Sequence, residues 1–248
     1  MPGNDTVIAL EESAFNAWPA LDTIVLDGWI VRLAGGYTKR ANSVNALCPR
    51  APARDIVPAA ARIFAREGLP LVFRLSPLAD AEADADLARL GFAHLDETIV
   101  MTKPLADAPP PDPDVQLDQG PSPAWLDAHA DANAVPDGRR ILHERLLGAI
   151  RLPMACATLA NGGIPVAWGL GVACNANVGL FDIVTAPDAR RQGAGRRLVG
   201  SLMAWGRSQG ATHAFLQVVA ANAPAIALYE KLGFRAAYRY HYRMAPSA

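Results

Sequence analysis

The sequence predicts an α/β chain made of two consecutive copies of one unit of strands and helices. Three observations predict it. A proline-rich stretch divides the 248 residues, the segments on either side repeat the same punctuation at the same spacing, and the second half carries a strand, a glycine-rich turn and a helix in direct succession. Hydrophobic residues make up 51% of the chain, which is enough to bury two cores.

The dividing stretch runs Pro104-Leu-Ala-Asp-Ala-Pro-Pro-Pro-Asp-Pro-Asp114, with five prolines in eleven residues. Proline removes backbone donors and favours extended backbone over helix or central strand, so the stretch reads as a linker between domains. The boundaries it sets are a first domain at 1–105, a linker at 106–114 and a second domain at 115–248. In the first half a helix ends at Glu67-Gly68, a strand Leu71-Val-Phe-Arg-Leu75 follows, and a second helix ends in Leu90-Gly91-Phe92. In the second half a helix ends at Gln209-Gly210, a strand His213-Ala-Phe-Leu-Gln-Val-Val219 follows, and a second helix ends in Leu232-Gly233-Phe234. The two glycines are 23 residues apart in both halves. Upstream the copies differ: Ala51-Pro52 precedes Gly68 by 16 residues, whereas Ala186-Pro187 precedes Gly210 by 23, and the difference matches a glycine-rich insertion in the second half alone.

The elements of the second half follow in order. Val115 to Leu117 is a short strand, and Ser122-Pro123 supplies an N-cap and a first-turn proline for a helix running toward Ala132. Asp137 opens another helix through Ile141, Leu142, Arg145 and Leu146. Met154 to Ala160 and Ile164 to Cys174 flank Asn161-Gly162-Gly163, a turn suited to positive φ, which predicts a β-hairpin. A strand from Val178 to Thr185 leads into Arg190-Arg-Gln-Gly-Ala-Gly195, and the next helix places Leu198, Leu202 and Trp205 on one face. The remaining elements are the strand to Val219, a helix with Pro224 in its first turn and Gly233 as its stop, and a final strand holding Tyr238 to Met244.

Glycines at 193 and 195 let backbone approach a ligand closely, and successive N–H groups at a helix start form a partly positive hollow suited to a pyrophosphate. Arg190, Arg191, Arg196 and Arg197 add positive charge. No Gly-Lys-Ser/Thr follows and the third glycine of a dinucleotide fingerprint is missing. Taken alone, the Gly-x-Gly is also compatible with a tight helix-entry turn that holds no ligand.

With Arg190-Arg-Gln-Gly193-Ala-Gly195 after a strand, and with Asn222 and Ala227-Leu-Tyr-Glu-Lys-Leu-Gly-Phe234 at their spacing, the second half resembles the GNAT superfamily of N-acetyltransferases, whose signature is Arg/Gln-x-x-Gly-x-Gly/Ala. The stretch Gly28-Trp-Ile-Val-Arg-Leu-Ala-Gly-Gly-Tyr-Thr-Lys-Arg-Ala-Asn-Ser-Val44 resembles the opening of a tandem subgroup. The resemblance implies two GNAT-like domains in tandem, each a twisted mixed sheet flanked by helices, with acetyl-CoA lying where the second sheet splays. It implies that Ile183, Val184 and Thr185 offer backbone groups to the pantetheine arm, that Arg190, Arg191, Gln192, Gly193, Ala194, Gly195 and Arg196 hold the pyrophosphate, and that Asn222 contacts the cofactor.

Acetyl transfer to an amine needs the amine neutral, the thioester carbonyl polarised and the departing thiolate protonated. By resemblance Tyr229 is the acid; the competing reading is a packing tyrosine. A backbone N–H near Val184 is expected at the carbonyl. Asp182, among apolar neighbours, is the candidate base, with a structural Asp bonded to a nearby loop as the alternative. His213 and His241 read as structural or surface residues, and the alternating Tyr238-Arg-Tyr-His-Tyr-Arg243 as either a packed final strand or one wall of an acceptor pocket. In the first half Leu87 and Asp80 stand where Tyr229 and Asn222 stand in the second, so that half is expected to be a degenerate, non-catalytic copy that walls the acceptor site, with Arg32 and Tyr37 tuning acceptor use.

The formal charge of −1 excludes a broad basic field, so no nucleic acid partner is expected. Cys48, Cys156 and Cys174 lack metal or disulfide spacing and read as buried small apolar residues, and no metal is expected. With neither a signal segment nor an apolar run of membrane length, the expectation is a cytoplasmic chain with no membrane partner. An enzyme acetylating a primary amine is the leading reading; a CoA-binding sensor without turnover, or a transferase of another acyl group, are the rivals.

Overall fold

The computed structural model describes residues 3–246 and divides into two compact units. The first holds the described residues up to 100, together with 219–221 and everything from 237 onward; the second holds 101–218 and 222–236.

In the first unit α1 (Asn4–Ala17), β1 (Asp22–Leu26), β2 (Trp29–Leu33), β3 (Ser43–Ala46), α2 (Ala53–Arg66), β4 (Val72–Leu75), α3 (Ala83–Arg89) and most of β5 (Ala93–Pro104) follow one another. Strands β1 to β3 pair antiparallel and β3 pairs parallel to β4, so the sheet is mixed. Helix α2 buries Ala53, Ile56, Ala60 and Phe64, a stripe at spacings of three and four that faces the core.

In the second unit β6 (Val115–Asp118), α4 (Pro123–Ala132), α5 (Asp137–Gly148), β7 (Met154–Asn161), β8 (Ile164–Cys174), β9 (Asn177–Thr185), α6 (Ala194–Ser208), β10 (His213–Val219) and α7 (Ala223–Lys231) match the elements the sequence predicts. Ser122 caps α4 by accepting from the Trp125 N–H at 3.1 Å, and Gly162 and Gly163 turn the β7–β8 hairpin at positive φ. Strands β6 to β9 pair antiparallel, and β9 pairs parallel to β10, which again makes a mixed sheet. The last strand, β11 (Arg235–Met244), joins the first unit from Ala237 onward, antiparallel to β4 with His241 opposite Leu75.

The repeated glycine spacing is a pair of helix stops. Gly68, Gly91, Gly210 and Gly233 all take left-handed φ, at 64, 83, 89 and 91°, where a side chain costs about 1 kcal/mol or more. Helix α6 packs on β8 and β9, with Leu198 and Leu202 against Gly169 of β8, and burial of a side chain of this size is worth about 1.5–3 kcal/mol. The approach is close: a Cβ at Gly206 would lie 2.4 Å from Val178 Cγ1, and one at Gly171 3.1 Å from Leu202 Cδ2.

One sequence expectation changes here. Cys48 is exposed, and only Cys156 and Cys174 are buried; Cys48 lies just beyond β3, where the chain reaches the surface. The proline stretch lies along α6: Asp112 donates its N–H to Ser201 Oγ at 2.9 Å, and a Cβ at Gly200 would touch Pro109 at 3.1 Å. No helix among the described residues is long and apolar enough to cross a membrane.

Candidate active site

Strand β9 carries two irregularities close together. Its parallel ladder with β10 ends at Leu180 opposite Leu216. Against β8 the register then slips: Phe181 faces Leu170 but Val184 faces Trp168, so β9 uses one residue more than its partner. The extra residue is taken up at Asp182, whose φ of 52° is left-handed, a conformation costing a non-glycine residue about 1 kcal/mol or more. Beyond Leu180 the backbone of Ile183, Val184 and Thr185 therefore leaves the β10 ladder while still pairing with β8.

The bulge aims the Asp182 side chain at α5. Its Oδ2 lies 2.7 Å from His143 Nε2, with the His143 side chain 2% exposed and the Asp182 side chain 13%. The ring of His143 lies 5.1 Å from that of His129 on α4, and His129 stacks on Trp125 at 5.1 Å and 8°. Trp125 is fixed in turn, its indole N–H donating to the Ala157 carbonyl at 3.1 Å. His129 is fully buried and neither of its nitrogens makes a hydrogen bond, although the Asp182 backbone lies near enough to favour its charged form. Burial dominates and lowers the pKa of His129, so the ring is held neutral. Burial likewise pushes the nearby Cys156 thiol up to about 12, helped by the Asp182 charge, and a thiol so held is no nucleophile at neutral pH.

Eight residues beyond the end of β9, Gly193 of the glycine loop opens α6. Gly193 is the N-cap at φ 87°, and no side chain caps the helix, which leaves its first N–H groups for a ligand or solvent. Gly195 sits where a Cβ would lie 3.2 Å from Leu228 of α7 and 3.7 Å from Thr185 Oγ1, so the end of β9, the start of α6 and α7 converge there. Arg190 Nε donates to the Thr185 carbonyl at 3.2 Å, and Gln192 donates to the Asp188 carbonyl at 2.8 Å, so both side chains brace the loop. Arg191 is exposed and takes φ 61°. Arg197 is neutralised by Asp112, at 2.7 and 2.8 Å, and by Asp114. A cavity of about 710 Å³ opens beside Gly193 and Arg196 and receives Lys103 and Lys231 as well.

Tyr229 is buried, in edge contact with Phe234 at 5.9 Å, whereas its neighbours Leu228 and Leu232 are half-buried. Asn222 is exposed and caps α7, its Oδ1 accepting from the Ala225 N–H at 3.2 Å. In the first unit Arg32 is 4% exposed and donates to the carbonyls of Arg40, Phe15 and Trp18. It braces backbone there, which corrects the expectation that it tunes an acceptor; Tyr37 stacks on Trp18 at 6.4 Å. Of the two readings of the last strand, the packed one describes it: Tyr238, Tyr240 and Tyr242 are buried, Tyr238 donating to Glu11, while Arg239 pairs with Glu97, and His241 and Arg243 with Asp84. His213 is exposed.

Sequence reasoning missed His143 and His129, as well as Lys103 and Lys231. His143 lies 39 residues from Asp182, and no local pattern joins a helix histidine to a strand aspartate across that interval. The two lysines come from the end of β5 and the end of α7, outside the glycine-loop segment.

Over residues 6–243 the chain matches the protein family described as probable histone acetyltransferase Rv0428c C-terminal. It is 29% identical over 255 residues to the uncharacterized N-acetyltransferase YobR of Bacillus subtilis, covering 97% of this chain and 99% of the relative. It is 30% identical over 249 residues to the probable histone acetyltransferase Rv0428c of Mycobacterium tuberculosis, covering 96% and 73%. Among solved structures, a GCN5-related N-acetyltransferase from Kribbella flavida shares the fold with a TM-score of 0.73 at 17% identity, covering 100% of this chain and 98% of the other.

Proposed function

The chain belongs to the Rv0428c C-terminal family of GNAT N-acetyltransferases, and on that premise we propose that it moves the acetyl group of acetyl-CoA onto a primary amine held in a ternary complex. One observation carries the reading. Strand β9 parts from β10 at Leu180, and the freed segment leads into a glycine loop at a helix N-terminus, beside a cavity lined by Lys103, Arg196 and Lys231, with Arg197 paired to Asp112. An extended thioester arm ending in a pyrophosphate is the ligand class that such a track and cradle suit.

In this reading the backbone of Ile183, Val184 and Thr185 binds the pantetheine arm, and an N–H near Val184 polarises the thioester carbonyl. Gly193, Ala194 and Gly195 present N–H groups to the pyrophosphate, with Arg196, Lys103 and Lys231 supplying charge around it. Arg190, Arg191 and Gln192 shape the loop, and Asn222 sets the start of the helix that carries Tyr229. Acetyl-CoA supplies the activated acetyl group. The Asp182–His143 pair takes a proton from the attacking amine as the new C–N bond forms, and Tyr229 gives its phenolic proton to the sulfur as the C–S bond breaks. Asp182, the sole base expected from sequence, thus acts through His143, which it orients.

The domains meant by this proposal are a catalytic copy within residues 115–248 and a degenerate copy in the first hundred residues. Support comes from the buried Leu87 in place of Tyr229 and from Asp80, whose Oδ1 accepts from the Glu82 N–H at 3.1 Å and so shapes a turn rather than a cofactor site.

Release of free CoA thiol, followed with a disulfide dye across small amines, lysine peptides, histone-tail peptides and peptides with free N-termini, tests the reading. Tyr229→Phe, Asp182→Asn and His143→Gln should each lower kcat by about 10²–10⁴ on any accepted amine, with acetyl-CoA affinity unchanged. Tight acetyl-CoA binding without transfer to any amine would instead favour the sensor reading.

A further inference from the structure

We propose that His129, His143 and Asp182 form a binding site for a divalent transition-metal ion of the zinc class, and that its occupancy turns transfer off. The off-switch rests on the proton-acceptor reading of His143 and Asp182 given above; the binding site does not.

One potential ligand atom from each residue lies within 4.8 Å of the others. Four-coordinate zinc holds ligands at about 2.0–2.2 Å, which spaces them by about 3.3–3.6 Å, so side-chain rotations of about 1 Å would close the set. The donors are two imidazoles and one carboxylate, a set that suits zinc, cobalt or nickel rather than magnesium or calcium, and it leaves a fourth position for solvent.

Two local costs converge on this point. His129 is fully buried with both nitrogens lacking a hydrogen bond, an arrangement that native cores avoid. Asp182 holds a left-handed backbone that glycine would take more easily, and so aims its carboxylate into the cluster. Packing does not explain the choice of His129, since a phenyl ring would stack on Trp125 as well as the imidazole does. A cavity of about 310 Å³ between α4 and α5, with His143 in its wall, provides the way in. The cysteine spacing behind the expectation of no metal is silent here, because every ligand is His or Asp and each comes from a different element. An ion bound there takes the lone pair of His143 or the Asp182 oxygen, and the pair then accepts no proton.

The test uses the full chain after chelator treatment. Zn²⁺ is titrated in competition with a chromophoric chelator, and Co²⁺ is added separately to read the visible absorption of a tetrahedral site. The proposal expects one equivalent bound, binding at least tenfold weaker in His129→Phe and in Asp182→Asn, and unchanged binding in the exposed-site control His213→Gln. His129→Phe keeps the aromatic stack on Trp125, so it should fold, and whatever transfer it retains should be insensitive to Zn²⁺. Fewer than about 0.2 equivalents bound, or a stoichiometric ion retained by both site variants, overturns the site. Binding without inhibition of an active enzyme overturns the switch. Because binding is read without turnover, failure of the proton-acceptor reading shows separately, as full activity in metal-free Asp182→Asn.

Discussion

Replacing Gly193 isolates the backbone contribution to the proposed acetyl-CoA cradle. A Cβ at this position meets no atom within 4 Å, so a side chain there creates no clash, and what it changes is the cost of holding φ at 87°. For a β-branched residue that cost is about 1–2 kcal/mol. Gly193→Val should therefore relax the turn in the free protein, and restoring it on binding would raise Kd about 5–30-fold. If relaxation also turns one N–H away from the pyrophosphate, a charge-assisted hydrogen bond of about 1.5–3 kcal/mol is lost as well, and the combined loss of about 2.5–5 kcal/mol raises Kd by about 70- to 5,000-fold. Asparagine tolerates the left-handed region, so Gly193→Asn should bind within about threefold of the parent. Isothermal titration of acetyl-CoA into the three proteins reads these differences. Parent-like affinity in Gly193→Val, or equal loss in valine and asparagine variants, would refute the reasoning.

Further predictions concern stability. Gly206→Ala drives a methyl group to 2.4 Å from Val178; overpacking of this kind costs about 1–3 kcal/mol, so Tm should fall by about 2–10 °C, with partial recovery in the double variant that adds Val178→Ala. Hydrogen bonds from Arg243, and then from His241, hold the Asp84 carboxyl down at about 2 from its ordinary 3.8. A depressed folded value means stability present above pH 4 and lost as pH falls toward 2, so Asp84→Asn should flatten that part of a Tm-against-pH curve. Glu11 and Arg74 form a buried ion pair, with Tyr238 donating to the same carboxylate and the Arg74 guanidinium 3.7 Å above the Tyr240 ring. Glu11→Gln leaves an uncompensated buried cation, and calorimetry should show a loss of about 3–5 kcal/mol.

Local chemistry made much of this fold legible. The twin glycine spacings are four left-handed helix stops, and Ser122, Asn161-Gly162-Gly163 and Gly193 sit where caps and turns need them. Each of these signals acts within a few residues. What stayed hidden depends on distant pairing. The bulge at Asp182 comes from a register slip against β8, and an aspartate gives no hint of left-handed backbone as glycine would. His143 and His129 meet Asp182 only after two helices dock on the sheet, and the exchange of β11 into the first unit depends on its pairing with β4. The bracing role of Arg32 stayed hidden because its partners are backbone carbonyls, which carry no sequence signature.

The stoichiometry of acetyl-CoA binding tests the central claim most directly. The account places one site in the second unit and none in the first, so titration of the full chain should saturate at one equivalent and weaken in Gly193→Val. No binding would contradict the acetyl-CoA reading, and two equivalents would contradict the degenerate first copy.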